Sequence, residues 1–125
     1  MTGFRCFEDI DAWKKARELT NDIYTLTREG EFARDYGLKD QICRSAVSIM
    51  SNIAEGYERN GVKEFQYFLS VAKGSAGEVR CQLYIAHDQG YIDQETADKL
   101  NDMVSEISRM LAGLINHLRN NKESK

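Results

Sequence analysis

Apolar residues recur along this chain at alternating intervals of three and four, and the pattern breaks three times. In the first stretch Ala12, Ala16, Leu19, Ile23 and Leu26 fall on one stripe, flanked by Trp13 and Tyr24. Such spacing belongs to an α-helix with one buried side. It predicts a first helix over about 9–30, with Glu8, Asp9 and Asp11 near its positive end and Gly30 as the stop. The pattern resumes at Leu38 and runs through Ile42, Ala46, Ile49 and Ile53. Turn chemistry follows at Gly56 and Arg59-Asn60-Gly61, so a second helix is predicted over about 38–58. A third, about 63–89, carries Phe65, Phe68, Ala72, Ser75, Val79, Leu83 and Ala86. The fourth, about 94–119, is the most regular, with Ala97, Leu100, Val104, Ile107, Leu111, Leu114 and Leu118 as a coiled-coil-like seam. Asp93 stands where an N-cap belongs, and 120–125 are expected to fray.

Helices of about twenty residues joined by short turns must run antiparallel to their neighbours, because a few residues cannot span a helix length of roughly 30 Å. The expected fold is all-α, an antiparallel up-down-up-down four-helix bundle, as one domain over 1–125. The chain has no proline in 125 residues, where about six would be average, which suits long helices. Charge changes the picture more. Seventeen basic and twenty acidic residues leave −3, so nothing global draws the chain to a polyphosphate or an acidic lipid surface. No run of about 18 apolar residues predicts a membrane span, and no apolar leader follows a basic start. Three cysteines, Cys6, Cys43 and Cys81, are odd in number and widely spaced, which points to free thiols and a cytoplasmic setting. Cys43 and Cys81 adjoin apolar helical positions and read as small buried hydrophobes.

If the second and third helices reverse around residues 60 and 61, positions whose numbers sum to about 121 share a level. Arg44 is then level with Gly77 and Glu78, its expected ionic partner, and Ser48 with Lys73. Ser45, Ser48, Ser51 and Asn52 on one helix match Ala72, Gly74, Ser75, Ala76 and Gly77 on the other. Small residues on both sides predict close backbone approach, which would offset the helix cost of the two glycines, with Ser and Asn hydrogen-bonding across it. We read this stripe as packing architecture rather than a binding site.

Several runs carry a resemblance: Ile10-Asp11-Ala12-Trp13-Lys14-Lys15-Ala16, Ile23-Tyr24, Tyr36-Gly37-Leu38, Gln41 to Ile49, Ser51-Asn52-Ile53-Ala54-Glu55-Gly56, and Ala72-Lys73-Gly74-Ser75 with Glu78. Together, from about Phe7 to Ile92, they resemble the bacterial four-helix-bundle family of 23S rRNA intervening-sequence proteins. That family is similar in fold to the accessory variability determinant of diversity-generating retroelements, a homopentamer that works with a reverse transcriptase and nucleic acid. The resemblance implies a homo-oligomer, a pentamer, and a nucleic acid or nucleic-acid enzyme as partner. Within these runs Trp13, Tyr24, Arg44, Ser48, Asn52, Glu55, Ser75 and Glu78 are the residues expected to fix packing and assembly. Two departures stand out. The turn Phe32-Ala33-Arg34-Asp35 lacks the family's usual proline, and the chain is acidic where the retroelement proteins are basic.

Other chemistry finds little footing. A di-iron bundle needs Glu-x-x-His, but Tyr84 and Leu114 stand three residues before His87 and His117. Zinc spacing, a glycine-rich phosphate loop and a Gly-x-Ser-x-Gly elbow are missing, so no cofactor or metal is expected. Arg80 and His87, seven apart on one helix stripe, resemble the Arg-x4-6-His motif of HEPN-type ribonucleases, but two common residues at a permissive spacing are a weak signal, and the reading preferred is of surface residues near a helix end. Lys14, Lys15 and Arg17 form the one dense basic cluster. It reads as a nucleic-acid contact or as part of a mixed-charge surface. Met103, Met110 and His117 beside the fourth seam, and Tyr67, Val71 and Ile85 off the third, are either a partner face or a widened core face. The reading adopted is a non-enzymatic, self-assembling scaffold or adaptor.

Overall fold

In the computed structural model, which describes residues 3–123, the chain forms α1 (Asp11–Leu26), α2 (Tyr36–Glu58), α3 (Val62–Asp88) and α4 (Gln94–Glu123). Single 3-10 turns precede α1 (Phe7–Asp9) and α2 (Phe32–Arg34). Each helix packs on its chain neighbours, and α1 closes the ring against α4. The result is the antiparallel four-helix bundle that the periodicity predicts.

The core is the set of seams brought face to face. Leu19 and Ile23 of α1, Ile42, Ile49 and Ile53 of α2, Phe65, Leu69 and Leu83 of α3, and Leu100, Ile107 and Leu111 of α4 are all buried. Met103 and Met110 pack against this cluster, so they widen the core of their own chain. Tyr67, Val71 and Ile85 point outward instead. Leu114 is only half-buried, and Leu69 takes the core place expected of Phe68.

The helix limits differ from expectation at α1 and α4. Residues 7–9 wind as a 3-10 turn because the backbone N–H of Arg5 donates to Asp9 Oδ2 at 3.1 Å, and the Phe7 ring meets Trp13 edge-on at 5.2 Å. At its other end α1 stops at Leu26, ahead of Gly30 in the left-handed region at φ 58°. α4 continues to Glu123, so the expected fraying from 120 is not seen; residues 124 and 125 lie outside the described residues. Asp93 does cap α4, accepting from the Thr96 backbone N–H at 2.8 Å.

The turn without proline is fixed by side chains. Phe32 is buried and stacks on Tyr91 at 5.2 Å, and the Tyr91 hydroxyl donates to Asp35 Oδ2 at 2.9 Å. That hydrogen bond, aided by burial and by the negative charge of Asp35, raises the Tyr91 pKa above the ordinary phenol value. The other Asp35 oxygen caps α2, accepting from the Leu38 N–H at 3.1 Å.

α2 and α3 approach closely at Gly56, which is buried inside α2. A Cβ placed there would sit 2.7 Å from Phe68 Cβ. Gly74 and Gly77, expected at this contact, lie instead on the outer surface of α3, with nothing within 4 Å of an added Cβ.

Candidate functional site on the α2–α3 face

The sequence places short polar residues along the α2–α3 contact, with Ser48 and Asn52 half-buried and Ser75 buried. There Ser48 Oγ and Ser75 Oγ lie 2.8 Å apart, joining the helices. Asn52 Nδ2 donates to the Ser48 carbonyl at 2.8 Å and to Ser48 Oγ at 3.0 Å. Asn52, Ser48 and Ser75 are therefore linked in one hydrogen-bonded chain, in which either serine hydroxyl can donate to the other. These three residues, expected to serve helix packing, are brought together at the α2–α3 contact.

One turn away, Arg44 and Glu78 share a groove of about 300 Å³ with Gln41, Ser45, Ser48 and Gln82. The level estimate brings Arg44 and Glu78 to one place but gives Arg44 the wrong partner. Its Nε donates to Asp40 Oδ2 at 2.8 Å, one helical turn back, with both side chains mostly in water at 78% and 63% exposure. An i,i+4 carboxylate on the same helix is nearer than one across the groove. Gln82, missed in the sequence, lies 8% exposed beneath this groove, and its Oε1 has no hydrogen-bond partner. Its seven-residue spacing from Ser75 was the available signal.

The remaining marked residues scatter. Glu55 holds Arg59 at 2.7 Å, and that guanidinium lies 5.1 Å from the Phe68 ring. Tyr24, 39% exposed, borders a second open groove of about 660 Å³ with Tyr36, Gly37, Lys39, Asp40 and Cys43. Trp13 packs on Phe7, with Arg17 5.8 Å from its ring centre. Lys15 pairs with Glu106 of α4 at 3.4 Å, and Lys14 lies 3.9 Å from Asp11. The dense basic run is thus divided among carboxylates and an aromatic ring. Arg80 is exposed and His87 half-buried, two turns apart on α3. Cys43 is half-buried, 3.6 Å from the Thr27 hydroxyl, whereas Cys81 is exposed, contrary to the buried reading.

Chemically, the α2–α3 groove gathers hydroxyls, amides, a guanidinium and a carboxylate, groups suited to holding polar atoms. Among the described residues no group of three His, Cys, Asp or Glu side chains is placed to hold a metal ion. No helix among them is long and apolar enough to cross a membrane.

These features define a class: an all-α bundle in which the two middle helices meet at one glycine and are joined by a serine–serine–asparagine chain. Within that class, the family model of the 23S rRNA-intervening sequence protein matches residues 8–113, and the chain belongs to that family. A crystal structure of a protein of unknown function from the S23 ribosomal protein family of Bacteroides thetaiotaomicron has the same fold, with a TM-score of 0.78 at 24% identity over 84% of this chain and 95% of that one. No curated protein matches the sequence.

Proposed function

We propose that this protein is a non-enzymatic scaffold or adaptor of the cytoplasm that works as an assembly of its own copies. The observation that carries this reading is the outer face of α3, where Tyr67, Tyr84, Ile85 and Val71 stand 63%, 56%, 42% and 36% exposed. Aromatic and branched side chains grouped on one helix face favour a partner surface over water. The copy number that the family resemblance implies is five. Three free cysteines fit a reducing compartment.

The main rival is an accessory protein organised by nucleic acid through Lys14, Lys15 and Arg17. The ion pairs of both lysines would have to be exchanged for phosphate, which lowers the gain from counterion release. Sedimentation before and after nuclease treatment and a high-salt wash separates the two. The scaffold reading expects the same sedimentation coefficient in both. Collapse to single chains once nucleic acid is removed would overturn it in favour of the rival.

A further inference from the structure

Diametrically opposite the buried side of α3 runs an unbroken exposed line at intervals of four and three: Lys63, Tyr67, Ser70, Gly74, Gly77, Cys81, Tyr84 and Asp88. Between its two charged ends it gives the same order of sizes read in either direction. Aromatic rings lie towards each end, a small polar atom comes next, and two glycines occupy the centre. Its charges are complementary under that reversal, with a lysine at one end and an aspartate at the other. Positions whose numbers sum to about 151 change places throughout, which is the symmetry of an antiparallel helix pair about a two-fold axis.

From this line we infer that α3 is a self-complementary docking face whose occupant is α3 of a second copy, running antiparallel. Gly74 would face the partner's Gly77, Ser70 the partner's Cys81, Tyr67 the partner's Tyr84 and Lys63 the partner's Asp88. The inference rests on the self-assembly reading and assigns one two-fold contact within it, separate from any contact that closes a ring of five. Three observations carry it. The glycines have no reason within the chain: φ is negative, nothing lies within 4 Å of an added Cβ, and a helix interior disfavours glycine. A second backbone lying close against them would supply one. Tyr67 and Tyr84 are exposed at 63% and 56% where aromatic anchors of an interface would sit. Finally, the end charges favour the antiparallel direction, since a parallel pair would set Lys63 on Lys63 and Asp88 on Asp88. The flanks work weakly against it, because Lys73 falls on the same side as the partner's Arg80; both side chains are exposed and can turn to solvent. A two-fold contact closes at two copies, and it can also join two rings of five.

The test is Ser70→Cys in the full chain under mild oxidation, with the linkage mapped by peptide mass. Ser70 is exposed and the change is small, so folding is not at stake. On one helix positions 70 and 81 are about 16 Å apart, beyond the roughly 7 Å Cα limit for a disulfide, so a bond from the introduced thiol to Cys81 can form only between copies. The expected result is a covalent dimer of about 29 kDa, twice the 14.3 kDa chain, joined from the introduced thiol of one copy to Cys81 of the other. It should be at least about tenfold more abundant than any dimer of the unsubstituted chain. Adding Gly74→Arg, which puts a good helix former into open space, should remove the bond while helicity holds. A dimer joined through Cys81 of both copies would overturn the antiparallel direction. If the introduced thiol forms no bond to Cys81 in a chain that still has a multiple mass, this face is overturned and self-assembly stands. A single-chain mass at every concentration would overturn both.

Discussion

Gly56 sets the distance between α2 and α3, because any side chain there meets Phe68 Cβ at 2.7 Å and Phe65 beyond it. Gly56→Ala is expected to destabilise the fold by about 1–3 kcal/mol, the usual cost of forcing a methyl into a filled contact, measured by urea denaturation. Ser75→Ala removes one end of the Asn52–Ser48–Ser75 chain and should cost about 1 kcal/mol by the same measurement. Arg44→Glu should change stability by no more than about 0.5 kcal/mol, since its partner is Asp40 in mostly solvated surroundings. A large loss would point back to a pairing with Glu78. The sequence allows levels to be estimated, and so brings Arg44 and Glu78 into one groove. It does not say which of two carboxylates a flexible guanidinium prefers, because that depends on rotamers and on the competing i,i+4 neighbour.

Among the elements, α4 shows how a local signal becomes stability. Hydrogen bonding from the Thr96 side chain first, and then from its backbone N–H, holds the Asp93 carboxyl below the ordinary carboxylate range. A pKa depressed in the folded state gives stability that is present above the unfolded carboxylate pKa of about 3.9 and is lost as pH falls through the folded value. Asp93→Ala should therefore melt below the unsubstituted protein at pH 7, and the gap should narrow as pH drops below about 4. Thermal melts at several pH values check this. The cap was readable because an Asp just ahead of a periodic run has one obvious use. The start of α1 was not, since it turns on the Arg5–Asp9 hydrogen bond and the packing of Phe7 on Trp13. The turn between α1 and α2 was unreadable for a similar reason. Its rigidity comes from Tyr91, which lies 56 residues beyond Asp35 in the chain.

For the whole molecule, periodicity with short turns sufficed for the bundle, because buried stripes on four antiparallel helices have few ways to meet. It could not assign the leftover apolar residues, which depend on helix rotation. The structure sends Met103 and Met110 into the chain's own core and leaves Tyr67, Val71, Tyr84 and Ile85 outside. Gly74 and Gly77 change sides in the same way, from an expected internal contact to the outer surface. Most of the α2–α3 polar network is already satisfied inside one chain, so the proposed role falls to the outward face of α3. That makes copy number the property to measure first, by light scattering on a sizing column at physiological salt. The account predicts a mass that is a multiple of 14.3 kDa and is held on dilution through the micromolar range. A mass of 14.3 kDa throughout would contradict it.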